Sequence, residues 1–118
     1  VDWYSLQLGY EGGLPWEGLR DLAPHLCDFG DTALALDRLD VLVTVDTAVA
    51  HLAGAMGRPV LLMVPLMPDW RWLLEGERSP WYPSIRIFRQ LRHGEWEDVV
   101  TAVAGSLNQL MNSLRGTC

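Results

Sequence analysis

Asp40-Val-Leu-Val-Thr-Val-Asp-Thr-Ala-Val-Ala-His-Leu-Ala-Gly-Ala-Met-Gly-Arg-Pro-Val-Leu-Leu-Met-Val-Pro65 changes its hydrophobic period twice. Val41 to Val45 is a short apolar, β-branched run of the kind found in buried strands. Asp46-Thr47 then supplies helix N-cap chemistry, and Val49, Leu52, Ala53 and Met56 recur at helical spacing. Gly54 and Ala55 are small enough for close packing. Gly57 suits a C-terminal cap, and Pro59 forbids continuation of the helix. Val60 to Val64 is apolar again. The stretch therefore predicts strand, helix, strand, a crossover that makes the two strands parallel and buries both faces of their sheet. At the turn after Val45, backbone N–H groups open a helix and offer a place for a phosphate.

Working outward, Trp3 to Leu8 alternates loosely and predicts a first strand ending at Gly9. Gly9 to Pro15 is a loop with three glycines whose spacing does not match the dinucleotide pattern G-x-G-x-x-G. It is either a plain turn or a ligand-facing loop. Trp16 to Leu22 is expected to form a short helix, and Leu26 to Phe29 a short strand. Asp31 is expected to cap a helix from Thr32 to Leu39, with Leu34, Leu36 and Leu39 partly buried. Downstream of Pro65, prolines and aromatics alternate in two stiff loops, Pro65 to Trp72 and Ser79 to Pro83. Ile85 to Phe88 predicts a last strand. From Trp96 to Leu114, Val99, Val103, Leu107, Leu110 and Leu114 mark one face of a long amphipathic helix. Glu95, Glu97 and Asp98 sit at its start, where the helix dipole favours acids.

With 118 residues, 49% of them hydrophobic, the chain has room for a core and is read as one domain. No apolar run reaches the length of a membrane span. The chain begins at Val1, which fits an excised piece of a longer protein. The two cysteines, Cys27 and Cys118, have no metal or disulfide spacing, so a reducing, cytoplasmic setting is expected with Cys27 as a small core residue.

Net charge is −6, and all nine basic residues are arginine. Residues 1–57 carry nine acids against two arginines (−7), whereas residues 58–92 carry six arginines against three acids (+3). An acidic chain without a basic helix argues against nucleic acid. The local arginine excess either meets a phosphate or sugar acid or forms ordinary surface ion pairs. Arg71 has the same two readings, facing a ligand phosphate or pairing with Asp69 or Glu75.

No serine lies on a G-x-S-x-G elbow, and His25, His51 and His93 are too scattered for a metal site. No catalytic residue and no metal ligand is assigned. Asp46 ends a parallel strand, at the side of an α/β sheet where ligands bind. It is read as a helix cap, as an acceptor for sugar hydroxyls, or as both. His51 is either a structural histidine beneath the turn or a ligand-facing one.

The run from Asp28 to Pro59, with its Asp46-Thr-x-x-x-His51 turn, resembles the donor-binding half of glycosyltransferases of the heptosyltransferase family. Pro68-Asp-Trp-Arg-Trp72, Ser79-Pro-Trp-Tyr-Pro83 and Arg86-Ile-Phe-Arg-Gln90 resemble a branch found at the C-terminal end of bacterial tetratricopeptide-repeat proteins. Tyr4-Ser-Leu-Gln-Leu-Gly9 is a fainter match. The resemblance implies a Rossmann-like α/β domain with a mostly parallel sheet, equivalent to the C-terminal half of a GT-B enzyme and spanning residues 1–118. It implies a nucleotide-diphosphate sugar as donor, with the backbone of Thr47, Ala48 and Val49 on the diphosphate and Asp46 on the sugar. His51 would support the turn, and Asp28 and Phe29 would lie near the nucleoside. Transfer would be metal-independent and need no cofactor. The acceptor-activating base would come from a missing N-terminal half, so the chain alone would be inactive. Two residues depart from the family pattern: Ala48 stands where glycine is usual, and Leu8 where a basic residue often precedes the glycine. The alternative expectation is a non-catalytic module that keeps the half fold and presents Trp70, Trp72, Trp81 and Tyr82 to a protein partner.

Overall fold

The computed structural model describes residues 3–6, 19–68, 72–73 and 76–116. It is a mixed α/β structure whose strands pair in parallel. By internal contacts the chain divides into two compact units, Val1–Leu39 and Asp40–Cys118.

In the first unit, strand β1 (Tyr4–Ser5) pairs in parallel with β2 (Arg20–Asp21), Tyr4 opposite Arg20 and Ser5 opposite Asp21. Arg20 N–H donates to Trp3 O at 2.9 Å and Leu22 N–H to Ser5 O at 3.0 Å, which extends the ladder by a bond at each end. The helix expected over Trp16 to Leu22 is thus corrected. Its described residues, from Leu19 on, are extended where they pair with β1, and residues 16–18 lie outside the described residues, as does the loop Gly9 to Pro15. The Arg20 guanidinium sits 5.5 Å from the Tyr4 ring centroid, and its Nη1 donates to the Tyr4 hydroxyl at 3.1 Å. A 3-10 turn, Ala23–His25, follows, and its first amide donates to Asp21 Oδ1 at 2.9 Å.

No strand forms over Leu26 to Phe29. Helix α1 (Phe29–Arg38) begins three residues earlier than expected because Asp28, not Asp31, caps it. Asp28 Oδ1 accepts the Asp31 amide at 2.9 Å, while Asp31 Oδ2 accepts the Cys27 amide at 2.9 Å. This is a reciprocal arrangement of the capping-box type. On α1, Thr32 and Leu36 are buried, but Leu34 is 66% exposed, against the expectation for that leucine. Cys27 is exposed as well, and is not a core residue.

The second unit contains β3 (Leu42–Val45), α2 (Ala48–Ala55), β4 (Val60–Val64), β5 (Ile85–Arg89) and α3 (Glu97–Gly116). The sheet order is β3-β4-β5, every pair parallel. Val43 lies opposite Leu61 and Leu61 opposite Arg86, while Thr44 lies opposite Leu62 and Leu62 opposite Ile87. Because side chains alternate along a strand, Val43, Leu61, Met63, Arg86 and Phe88 share one face. Leu42, Thr44, Val60, Leu62, Val64, Ile85, Ile87 and Arg89 share the other.

Helix α3 covers the first face, where Val99 and Val103 pack with Leu61 and Phe88 and Leu107 lies beside them. Helix α2 covers the second through Ala50, Ala53 and Gly54, all buried. A Cβ at Gly54 would come within 2.8 Å of Ile85 Cδ1, so the absence of a side chain there sets how closely α2 lies on the sheet. The end of α2 follows from sequence alone. Gly57 takes φ +71°, its N–H donates to Gly54 O at 3.0 Å, and the Arg58 N–H donates to Ala53 O at 2.9 Å. These two bonds are the Schellman pattern. With helices on both faces, the β-rich strands can be apolar throughout, and Val60, Leu61, Leu62 and Val64 are all buried.

Glu77 and Arg78 run along the far edge of β5. Ile87 N–H donates to Glu77 O at 2.7 Å, and Arg78 forms an antiparallel bridge with Arg86. On the α3 side, Arg86 donates to Ser106 Oγ at 2.9 Å and pairs with Glu77 at 3.2 Å. Among the described residues no helix is long and apolar enough to cross a membrane.

Candidate functional site

The carboxyl ends of β3 and β4 and the first turn of α2 converge at one edge of the three-stranded sheet. Thr47, not Asp46, is the N-cap of α2. Its φ of −144° is extended, and its Oγ accepts from the Ala50 amide. Of the helix-opening amides, Ala50 is therefore satisfied, while those of Ala48 and Val49 have no intrahelical acceptor by construction. Thr44 Oγ lies 3.3 Å from Thr47 Oγ and donates to Val45 O at 3.0 Å, tying the cap to the end of its strand. The result is a strand-to-helix turn whose first amides have no intrahelical acceptor, at the positive end of a helix dipole.

With the cap supplied by Thr47, the Asp46 carboxylate is available for other partners. Asp46 Oδ1 stands 3.2 Å from His51 Nε2. A carboxylate only accepts, so Nε2 carries the proton. Nδ1 lies 3.4 Å from the Tyr82 hydroxyl, and accepts from it when the ring is neutral. His51 stacks on Trp72 with ring centroids 5.1 Å apart and planes inclined by 27°, and meets Tyr82 edge-on at 5.7 Å. These contacts hold the His51 ring among Asp46, Trp72 and Tyr82, with its side chain still 29% exposed.

Two aromatic loops deliver Trp72 and Tyr82 from opposite directions. The segment after β4 leaves at the carboxyl end, where Gln90 Oε1 accepts the Leu66 amide at 3.1 Å, and it brings Trp72 back under α2 with no exposed surface. Tyr82 precedes β5, so its backbone lies at the amino end of the sheet: Ile85 N–H donates to Tyr82 O at 3.0 Å and Val60 N–H to Ser84 O at 3.2 Å. The buried Ser79 hydroxyl accepts the amides of both Trp81 and Tyr82 at 3.1 Å, fixing the turn that aims the Tyr82 ring along α2. The hydroxyl thereby reaches His51, 31 residues away in sequence.

Of the residues singled out in the sequence, Asp46, Thr47, Ala48, Val49 and His51 stand together. Asp28 and Phe29 belong to the first unit. Asp28 is engaged as the cap of α1, and Phe29 is 63% exposed at its first position. Arg71 lies outside the described residues, with Asp69, Trp70 and Glu75. Trp72 and Tyr82, considered above as partner-facing aromatics, are instead packed against His51, leaving Trp81 as the exposed described member of that set. Thr44, Tyr82 and Arg89 were not assigned to the turn from sequence. Tyr82 is joined to it only by a tertiary contact through His51, Arg89 donates to Trp72, Leu73 and Gly76 and in those bonds touches none of its residues, and no periodic signal marks either. Among the described residues no cluster of His, Cys, Asp and Glu could hold a metal ion. A separate depression of about 420 Å³ at the start of α3 is lined by Glu95, Trp96, Glu97 and Asp98, whose three carboxylates would repel an anion.

No protein-family model matches the chain, and no solved structure does. Over 86 residues it is 33% identical to Protein FlbA of Caulobacter vibrioides, an alignment that covers 73% of this chain and 14% of FlbA. The chain thus aligns with a small part of a much longer relative.

Proposed function

We propose that this chain is the nucleotide-sugar-binding half of a heptosyltransferase-like glycosyltransferase of GT-B architecture, working within a longer protein. The observation that carries this reading is the turn at Asp46 to Val49. It combines helix-opening amides that have no intrahelical acceptor with a carboxylate held in place by His51, at the carboxyl edge of a parallel sheet. The donor diphosphate would accept from the Thr47, Ala48 and Val49 amides, where the helix dipole adds attraction. Asp46, repelled by phosphate, would accept from hydroxyls of the sugar. Its bond to His51 Nε2 limits the freedom of the carboxylate, so less entropy is lost when sugar binds. The Ala48 methyl narrows the approach to the backbone and favours a modest affinity.

Amide shift mapping with ADP, UDP and GDP tests this. The expected result is perturbation centred on Asp46 to Ala50, with one nucleotide stronger than the others. Perturbation confined to the amino ends of the strands, around Pro59 and Ser84, would sink the proposal.

A further inference from the structure

We propose that Arg89 is a positioning residue for the Asp46 turn, acting through Trp72 and His51; this rests on the reading of that turn as a diphosphate and sugar site. Arg89 ends β5 on the α2 side of the sheet. Its guanidinium donates from Nε to Gly76 O at 2.8 Å, from Nη1 to Leu73 O at 2.8 Å, and from Nη2 to Trp72 O. Three carbonyls of one loop are gathered on a single planar fork, which a lysine ammonium cannot reproduce.

The loop needs that clamp. Leu73 has φ +60°, a left-handed conformation that leucine rarely adopts and that persists only where the surroundings enforce it. Leu73 is also half exposed, so burial of its own side chain does not supply the constraint. What the clamp secures is Trp72, fully buried, with its ring stacked on His51. Held between Trp72 and the Tyr82 hydroxyl, the imidazole keeps Nε2 directed at Asp46. The sequence Arg89, Trp72, His51, Asp46 is a continuous line of contacts from the end of β5 to the ligand-facing turn. Arg89 itself donates to carbonyls of the loop beneath, so its part is to hold the geometry rather than to touch the donor.

The test uses the 118-residue chain with Arg89→Lys and Trp72→Phe, read by two measurements. The first is the pair of His51 ring-nitrogen shifts in the free protein. Read at a pH high enough to keep the imidazole neutral, the parent chain is expected to hold the proton on Nε2 alone, so the two shifts are far apart. Once the ring loses its fixed orientation, tautomers average and the shifts converge. The second is the ADP, UDP and GDP titration. Both variants are expected to bring the His51 shifts together, to move the Asp46 to Val49 amides, and to weaken nucleotide binding about three- to tenfold. The β3–β4–β5 amides should stay in place. If Arg89→Lys does not fold, Trp72→Phe, which leaves the clamp intact and thins the stack, tests the Trp72–His51 link through which Arg89 acts, and unchanged His51 shifts there overturn the proposal as well. Unchanged His51 ring shifts in a folded variant overturn the proposal, even where affinity falls. If the parent chain binds no nucleotide at the turn, the diphosphate reading fails, and the His51 shifts still decide the positioning role.

Discussion

Replacing Gly54 with alanine adds one methyl group where α2 lies against Tyr82 and Ile85. The new Cβ would lie 2.6 Å from Tyr82 Cγ, 2.8 Å from Ile85 Cδ1 and 3.0 Å from Tyr82 Cβ. Carbon atoms pack at about 3.5–4.0 Å, so the Tyr82 ring or the helix must retreat by about 1 Å. Neither has an easy route. Tyr82 is tied through its amide to Ser79 and through its carbonyl to the Ile85 amide, and Ile85 is a fully buried strand residue. Overpacking of this kind costs about 1–3 kcal/mol, and the better helix propensity of alanine offsets at most ~1 kcal/mol. A net loss of about 1–2 kcal/mol is expected, which for a domain of this size lowers the melting temperature by roughly 5–10 °C. Gly105 in α3 is the matched control, because a Cβ there meets nothing within 4 Å. Gly105→Ala should gain up to ~1 kcal/mol from propensity alone. Thermal unfolding followed by circular dichroism compares the two. If Gly54→Ala melts at or above the parent temperature alongside Gly105→Ala, the packing argument for α2, and with it the account of how Tyr82 reaches His51, is wrong.

Thr47→Ala removes the α2 cap and should cost about 1 kcal/mol, while Thr47→Asp retains most of it; denaturant midpoints at equal slope measure both. Arg86→Met leaves the buried Ser106 hydroxyl without its 2.9 Å donor and should cost about 1–3 kcal/mol. Glu77→Gln should change stability by less than ~1 kcal/mol, because the Glu77 side chain is 63% exposed and its ion pair is screened. The purified chain alone should not transfer a glycosyl group from labelled nucleotide sugars to an added acceptor. Transfer needs a base within reach of the acceptor hydroxyl, and Asp46, the carboxylate at the turn, is occupied by His51. Product formation abolished by Asp46→Ala would show that the catalytic apparatus is complete in these residues.

The central strand, helix and strand were legible because their determinants are local. A β-branched run, a threonine cap, and a glycine followed by a proline each act within one turn of chain, and the structure ends α2 where Gly57 and Pro59 require. Local signals do not decide where two of them compete. Asp28 and Asp31 are both competent caps three residues apart, and sequence offered no reason to choose. The structure uses both, one on the Asp31 amide and one on the Cys27 amide, so the helix starts earlier. Arg20 and Asp21 carry no strand signal for a different reason. A two-residue strand has no periodicity to display, and its conformation comes from the β1 backbone 16 residues before it.

By itself the sequence determined the parallel crossover, the free helix-opening amides after Val45, and the identity of the residues around them. Those follow from steric and hydrogen-bonding preferences of neighbours in the chain. Tertiary structure alone decided that Asp46 bonds to His51 rather than capping α2, and that Trp72 and Tyr82 close on the imidazole from opposite ends of the sheet. It also decided that Arg89 gathers the intervening loop. Each of those contacts depends on strand register and on the spacing between α2 and the sheet. Both are set by packing between residues far apart in sequence, on which no local preference acts.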